Sequence, residues 1–305
     1  MSTPGRADSE GTAPFVYQGE TYSTWYRVVG DLGRGRRPLV TLHGGPGMSH
    51  DYMLPHARLH ALYGVPVVFY DQLGAGRSTH LRDKPAAFWT PALFMDELDS
   101  LLAHLRVRGD FDLLGNSWGA MLAGQYAAAR APPGMKHVVI ANGGAAMALW
   151  GAGTRRLVER LPRAAREAIE RGEREARRDT EAYKAAMKVF QMKHICKVDP
   201  WPRELVASFA ATEEDPTVYA TMIGPSEFNV SGTLRTWSIV DDVWKITAPT
   251  LLINAYDDTA QDIGLMPFFE KVQQVKWVQF ANSSHLPAFE EPERYFTILG
   301  QFLLN

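Results

Sequence analysis

A serine flanked by glycines lies in the stretch Gly115-Asn116-Ser117-Trp118-Gly119. The predicted strand Phe111-Asp112-Leu113-Leu114 precedes it and ends in an apolar pair, and small and apolar residues at helical spacing follow it. This order predicts a strand, a sharp turn and a helix, with the serine at the tip of the turn. Glycines two residues before and after the serine let strand and helix approach closely. An ordinary turn is the alternative, but a hydroxyl at a helix N-terminus, where negative charge is favoured, predicts Ser117 as a nucleophile.

A serine hydroxyl needs a base to remove its proton, and a third group must hold the base. Where the nucleophile sits on such a turn, the acid and then the histidine follow it along the chain. Asp257 and Asp258 follow a predicted strand, and His285 is the only one of the nine histidines beyond them. Its position just past the last predicted strand predicts His285 as the base. Spacing alone leaves both Asp257 and Asp258 open as the acid.

The negative charge that develops on an attacked carbonyl needs backbone N–H donors. One predicted donor is the N–H of Trp118, directly after the nucleophile, and the other comes from the loop after the first buried strand. That loop reads His43-Gly44-Gly45-Pro46-Gly47, and Gly44 and Gly45 can expose amides where side chains would block approach. A plain turn is the alternative for this loop, and His43 is interpreted as a loop-packing residue.

The elements that must position these residues alternate along the chain. Short apolar strands are predicted, after a hairpin over 15–29, at 38–42, 65–70, 111–114, 136–141, 249–254 and 275–280. Helical spacing is found over 91–107, 118–130 and 290–304. Apolar strands that alternate with helices predict a parallel sheet covered on both faces. In such sheets the ligand site lies at the carboxyl ends of the strands, where the Gly-rich loops fall.

The alternation stops between about 145 and 234, where no strand is predicted and Arg, Glu and Ala are abundant. The mixed charges of 157–189 favour a solvated helix face over a basic binding patch. We interpret the stretch as a helical insertion over the carboxyl edge of the sheet. The predicted domains are a core over 1–144 and 238–305 and a helical cap over 145–237. Residues through about Thr12 are predicted to be a loose arm.

The composition is that of an ordinary globular protein, with 305 residues, 46% hydrophobic and 22% charged. Lys and Arg number 32 against 34 Asp and Glu, a net charge of −2 that indicates neither nucleic acid nor an anionic membrane as partner. The single cysteine, Cys196, excludes an intrachain disulfide and argues against a zinc site. Residues 1–14 lack the apolar segment of a secretory signal, and no later run is apolar enough to span a bilayer, so a cytoplasmic protein is predicted.

Three motifs together resemble the proline iminopeptidase family of α/β-hydrolases, which includes tricorn-interacting aminopeptidases and L-amino-acid amidases. They are His-Gly-Gly-Pro-Gly at 43–47, Asp-Gln-Leu-Gly-Ala-Gly-Arg-Ser at 71–78 and Gly-Asn-Ser-Trp-Gly at 115–119. The resemblance extends from about Tyr26 to the C-terminus and includes 217–219 and 224–228. It implies an α/β-hydrolase fold, with a mostly parallel central sheet flanked by helices and an all-helical cap inserted before the acid strand.

Carried over residue by residue, the resemblance implies Ser117 as nucleophile, Asp257 as acid and His285 as base. In this family, carboxylates grip the free α-amine of the substrate, one from the cap and one directly after the acid. The matching positions here are Glu227 and Asp258. A buried ammonium requires paired negative charge, which agrees with two acids facing a closed pocket.

The resemblance also implies an oxyanion hole formed by the N–H groups of Gly45, or Gly44, and Trp118. One departure concerns the acid loop, where the family usually has Gly-Glu-Tyr-Asp-Glu and this chain has Asn-Ala-Tyr-Asp-Asp at 254–258. Asp in place of the last Glu has a shorter side chain, which bears on the amine grip and on the preferred size of the N-terminal residue.

The predicted activity is that of a serine hydrolase that releases an N-terminal residue, proline or a small apolar one, through an acyl-enzyme. Its substrates are expected to be short peptides, amides or arylamides, and no metal or organic cofactor is expected. The main alternative is an esterase, lactonase or amidase that acts on a specialised metabolite with the same triad. A non-catalytic receptor of the same fold is disfavoured because serine, acid and histidine are all present.

Overall fold

A computed structural model describes residues 8–33 and 35–305 of the chain. Its eight strands form one sheet in the order β1-β2-β4-β3-β5-β6-β7-β8. The strands are β1 Ser9–Tyr17, β2 Glu20–Val29, β3 Leu39–Leu42, β4 Val67–Tyr70, β5 Phe111–Asn116, β6 Met135–Ala141, β7 Thr250–Ala255 and β8 Val275–Phe280. From β4 to β8 each neighbouring pair is parallel, and β1 and β2 form an antiparallel hairpin at one edge. The predicted mostly parallel sheet is confirmed.

Eleven α-helices connect or flank the strands in the described part of the chain. They are α1 Arg58–Tyr63, α2 Pro91–His104, α3 Trp118–Arg130, α4 Met147–Glu159, α5 Arg163–Arg174, α6 Glu181–His194, α7 Arg203–Glu214, α8 Thr217–Met222, α9 Asp262–Lys271, α10 Pro287–Glu290 and α11 Pro292–Leu303. Short 3₁₀ turns cover His50–Ala57, Ala86–Phe88 and Val243–Lys245. No helix among these is long and apolar enough to cross a bilayer.

The central strands β3 and β4 are buried at every position, which explains why they are mostly apolar. Side chains point alternately to the two faces of a strand. On β3, Val40 and Leu42 belong to one hydrophobic cluster and Leu39 belongs to the other. The sheet is therefore covered by a packed layer on each side, as the alternation of strands and helices predicted.

The five helices α4–α8 follow one another between β6 and β7 with no strand between them in the described chain. Part of this stretch has its own apolar cluster, formed by residues of α4, α5 and α6 such as Leu157, Ile169 and Phe190. The helical character predicted for this region is confirmed. The division into a core over 1–144 and 238–305 and a cap over 145–237 stays a prediction.

The predicted loose arm through Thr12 is wrong from Ser9 onward, where β1 begins. This edge strand pairs with β2 along its whole length, from Ser9 opposite Val28 to Tyr17 opposite Glu20. Its first residues are exposed and polar, because the pairing supplies backbone hydrogen bonds on one side and water covers the other. Residues 1–7 lie outside the described residues.

Candidate active site

Ser117 lies at the turn between the end of β5 and the start of α3. Its backbone has φ 59° and ψ −123°, a conformation that non-glycine residues rarely adopt and that stores strain. A side chain at Gly115 would collide with the backbone of Gly119, and one at Gly119 would collide with the carbonyl of Leu42. Only glycine at both positions permits this approach, so the predicted strand–turn–helix is present.

His285 lies in the loop after β8 and its Nδ1–H donates to Asp258 Oδ1 across 2.6 Å. Asp258 is completely buried, whereas Asp257 forms an ion pair of 2.8 Å with Lys197, between α6 and α7. The prediction of Asp257 as the partner of His285 is therefore wrong. The reason is local: the N–H of Asp258 donates to the carbonyl of Ala255 and closes a turn. In this turn Asp258, rather than Asp257, is buried against His285.

Both carboxylate oxygens of Asp258 accept hydrogen bonds from groups of the protein itself. Oδ1 also accepts the N–H of Ala260 at 2.8 Å, and Oδ2 accepts Nδ2 of Asn142 at 2.6 Å. Because Asp258 has no exposed surface, its predicted role as a carboxylate for the substrate amine is wrong. Asn142 was not predicted, and the only signal for it in the sequence is its place directly after β6, ahead of two glycines.

Two opposing effects act on the pKa of His285. Burial lowers it, but the charge and the hydrogen bond of Asp258 raise it, with a smaller contribution from Glu227, and the net pKa lies above the usual 6.5. Nδ1 serves Asp258 and also lies 3.0 Å from the Thr259 hydroxyl. The second ring nitrogen, Nε2, is left for a group in the cavity that His285 and Ser117 both line.

The predicted oxyanion donors do not all have a free N–H. The Gly44 N–H donates to the Tyr52 hydroxyl at 2.6 Å, so Gly44 is wrong as a donor to the substrate. Gly45 has φ +111°, and a Cβ there would lie 2.7 Å from the nitrogens of Gly47 and Met48. Gly45 and Trp118 both flank Ser117 in a small apolar pocket.

Trp118 is the first residue of α3, so its N–H has no acceptor within that helix. It is also at the positive end of the helix dipole, which favours an anion. Among the described residues the Gly45 N–H has no acceptor either, so the role of Gly45 and Trp118 as oxyanion donors beside Ser117 stays a prediction.

Glu227 lies after α8 and lines the cavity together with Ser117 and His285. Its carboxyl group accepts the Tyr219 hydroxyl at 3.2 Å. Burial raises the pKa of Glu227, and the nearby His285 partly opposes this. A carboxyl group in such surroundings is stabilised by a cation, so the role of Glu227 as a carboxylate for an ammonium stays a prediction, without a second carboxylate from Asp258.

The cavity beside Ser117 has a volume of about 350 Å³ and mostly apolar walls, which include Met48, Ile195, Leu205, Phe209 and Leu286. A second, much smaller pocket of about 10 Å³ adjoins Ser117 and Glu227. Its remaining walls are Met121, Met147, Trp150, Ile223 and Leu234. No group of three or more His, Cys, Asp or Glu side chains in residues 8–33 and 35–305 is arranged to hold a metal ion.

The sequence and the fold are similar to those of known proteins. The sequence profile of the alpha/beta hydrolase family matches residues 39–298. The proline iminopeptidase of Clostridium botulinum is 33% identical over 97% of this chain and 98% of its own length. The crystal structure of VinJ superposes with a TM-score of 0.92 at 45% identity and covers 98% of this chain and 99% of that one.

The crystal structure of the proline iminopeptidase of Mycobacterium smegmatis superposes with a TM-score of 0.90 at 38% identity, over 97% of both chains. These matches extend over nearly the whole chain, so they include the strand ends, the serine turn and the helical stretch. The chain belongs to the proline iminopeptidase family of α/β-hydrolases.

Proposed function

We propose that this protein is a serine hydrolase that releases an N-terminal residue, proline or a small apolar one, from peptides, amides or arylamides. The observation that carries the proposal is the convergence of Ser117, His285 and Glu227 on one cavity, with Asp258 behind the histidine. Such a cavity combines a nucleophile, a base and a carboxylate that can recognise a free amine. A cytoplasmic location and independence of cofactors stay predictions.

In the first half of the reaction, Nε2 of His285 takes the proton of Ser117 Oγ as that oxygen attacks the substrate carbonyl. Asp258 keeps the proton of His285 on Nδ1 and stabilises the imidazolium that forms. The N–H groups of Gly45 and Trp118 hold the oxyanion. His285 then protonates the leaving amine, and the acyl group stays on Ser117.

In the second half, water replaces the leaving amine and repeats the cycle. His285 takes a proton from the water as it attacks the acyl-enzyme, and the same two N–H groups hold the second oxyanion. Collapse of this intermediate returns the proton to Ser117 and releases the amino acid. Every proton therefore passes through Nε2 of His285.

Substrate selection follows from the two pockets. Glu227 borders both, so an α-ammonium bound to it places the adjacent carbonyl near Ser117. The smaller pocket is lined by Met121, Met147, Trp150, Ile223 and Leu234, which favours an apolar side chain on the released residue. The pocket of about 350 Å³ then takes the leaving group.

A panel of aminoacyl-arylamides and amino-acid amides, each with and without an N-acetyl group, tests the proposal. We expect turnover of the free amines, loss of turnover on acetylation and loss of all turnover in Ser117→Ala. Equal turnover of acetylated and free substrates would instead support an esterase, lactonase or amidase that does not recognise the free amine. Turnover that survives in Ser117→Ala would exclude the serine mechanism.

A further inference from the structure

A continuous chain of buried hydrogen bonds connects the loop of Gly44 with Asp258. The Gly44 N–H donates to the Tyr52 hydroxyl at 2.6 Å, and the Tyr52 O–H donates to Asn116 Oδ1 at 2.9 Å. Asn116 Nδ2 donates to Asn142 Oδ1 at 3.2 Å, and Asn142 Nδ2 donates to Asp258 Oδ2 at 2.6 Å. This series of hydrogen bonds joins two residues that are 214 positions apart in the sequence. It includes Asn116, the residue directly before Ser117.

The direction of every bond in the chain is fixed by its two ends. A backbone N–H can only donate, and an ionised carboxylate can only accept. Asn142 must therefore turn its NH₂ group to Asp258 and its oxygen to Asn116. Asn116 must do the same one step further along, and its oxygen then requires the proton of the Tyr52 hydroxyl. A single arrangement satisfies all four bonds, so the side chains have no alternative orientation of equal energy.

The four side chains that form this series of hydrogen bonds are all buried. Tyr52 is 3% exposed, Asn116 is 6% exposed, and Asn142 and Asp258 are completely buried. Buried polar groups that lose a partner are costly, so each bond depends on the next. Asn142 also has φ 56°, a left-handed conformation that Asn tolerates better than most residues, and its N–H donates to the Ile253 carbonyl on β7 at 2.7 Å.

At the other end, the chain helps to fix the peptide that carries an oxyanion donor. The Gly44 N–H is held by Tyr52, and the Gly44 carbonyl accepts Nδ1–H of His43 at 2.9 Å. In a trans peptide the N–H of Gly45 points away from the carbonyl of Gly44, so holding that carbonyl aims the Gly45 N–H. Nε2 of His43 accepts the N–H of Gln72 at 2.9 Å, which fixes the His43 tautomer.

We propose that Tyr52, Asn116 and Asn142 act together as positioning residues. They hold the oxyanion loop, residues 43–47, and the acid Asp258 in fixed positions relative to Ser117. The inference rests on the proposed function, because it assigns Asp258 and the Gly45 N–H to the same reaction. A carboxylate held by Asn142 keeps one orientation toward His285, and the same chain holds the loop that receives the oxyanion.

The first test is Asn142→Asp, which keeps the size of the side chain and its tolerance of a left-handed backbone but replaces the NH₂ donor by a carboxyl group. Two carboxyl groups in contact share a proton or repel, and a second negative charge raises the pKa of His285. We expect the acid limb of the pH profile for labelling of Ser117 by a fluorophosphonate to move to higher pH. At neutral pH we expect labelling to slow by about tenfold to a hundredfold.

A matched control is Asn254→Asp. Asn254 is also completely buried and donates Nδ2 to a carboxylate, Asp262 Oδ1, at 2.8 Å, and to the Ala260 carbonyl at 3.1 Å, but it makes no hydrogen bond to Asp258 or Asn142. The groups that face His285 from other elements, Glu227, Glu290 and Asp258, are the same in both variants. We expect Asn254→Asp to leave the acid limb in place. Labelling of Asn142→Asp as fast as that of the wild type, or equal slowing in both variants, would overturn the proposal.

The second test is Tyr52→Phe, alone and combined with Asn142→Asp. If the chain acts as a unit, either single change slows labelling of Ser117 and the double change slows it by much less than the product of the two. Rates that multiply would show two independent local effects and would overturn the proposal. Labelling does not require a substrate amine, so failure of the proposed serine chemistry would appear as an unlabelled wild-type protein, whereas failure of this proposal appears only in the variants.

Discussion

At the scale of single residues, the positions of the serine on its turn and of the histidine on the same cavity were predictable, because strong rules constrain them. The serine turn demands glycine on both sides, and only His285 follows the candidate acids. The choice between Asp257 and Asp258 depended instead on how a turn of four residues leaves Asp257 partly exposed and buries Asp258. That detail is set by the hydrogen bond from Asp258 to Ala255 and by Lys197, which is distant in sequence.

Paired substitutions of the two adjacent carboxylates test that correction. We expect Asp258→Asn to lower kcat by about 10³ to 10⁴-fold, because the histidine loses the group that fixes its tautomer and stabilises its charged form. The acid limb of kcat/KM should also move to lower pH, since the carboxylate that raises the pKa of His285 is gone. Asp257→Asn, which breaks a half-exposed ion pair with Lys197, should change kcat by less than about fivefold. The opposite ranking would restore Asp257 as the acid.

The amine site makes a separate prediction at Glu227. Glu227→Gln keeps the shape of the side chain but removes the charge that would pair with an α-ammonium, so KM for an aminoacyl-arylamide should rise by about tenfold or more. Burial raises the pKa of Glu227, so the wild-type carboxyl group becomes ionised, and binds the amine more tightly, as pH increases through that raised value. Turnover of a neutral ester of acetic acid serves as the control. Equal changes in KM for both substrates would remove Glu227 from the amine site.

At the scale of elements, the strands and helices of the sheet were predictable from periodicity, with ends that differ by a few residues. The last strand was predicted over 275–280 and is found there. The edge strand β1 was missed over its first residues because an exposed edge does not require apolar side chains. The series of hydrogen bonds that connects Gly44 with Asp258 was not predictable, because it joins the ends of four elements whose spatial order the sequence does not state.

The contact between the serine turn and β3 gives a prediction for stability. Ala usually stabilises a helix relative to Gly by about 1 kcal/mol. Gly119→Ala should nevertheless lower Tm, because its Cβ would collide with the Leu42 carbonyl on the neighbouring strand. Gly109→Ala is the matched control, since no atom lies within 4 Å of a Cβ at that position. Thermal unfolding of both variants should show a fall for Gly119→Ala alone, and an unchanged Tm would mean that the turn can open at little cost.

At the scale of the whole molecule, one buried carboxyl group connects three separate parts of the fold. Glu97 on α2 is completely buried, accepts the hydroxyl of Thr24 on β2 at 2.6 Å and accepts the N–H of Leu73, after β4, at 3.0 Å. Burial raises its pKa from 4.5 to about 7, and the nearby Asp71 contributes to the shift. The helix, the hairpin edge and the loop of the sheet are thus joined through a group that is protonated in mildly acidic solution.

This shift makes the stability of the protein depend on pH with a defined sign. Below pH 4.5 Glu97 is protonated in both the folded and the unfolded chain, so it does not lower the free energy of unfolding. Between pH 4.5 and about 7 only the unfolded chain releases the proton, so the free energy of unfolding falls as pH rises. Above about pH 7 the full cost, about 3 kcal/mol for a fully buried group, is present.

Glu97→Gln removes that cost and keeps the contacts, because a Gln oxygen can accept the Leu73 N–H while its NH₂ donates to the Thr24 hydroxyl, which can turn to accept. The variant should therefore have a higher Tm than the wild type at pH 8.5, and the difference should shrink toward pH 5. Glu270→Gln, on the exposed face of α9, should leave Tm unchanged at both pH values. A Tm difference between Glu97→Gln and the wild type that is the same at pH 5 and pH 8.5 would show that burial of an ionised Glu97 does not limit the stability of this fold.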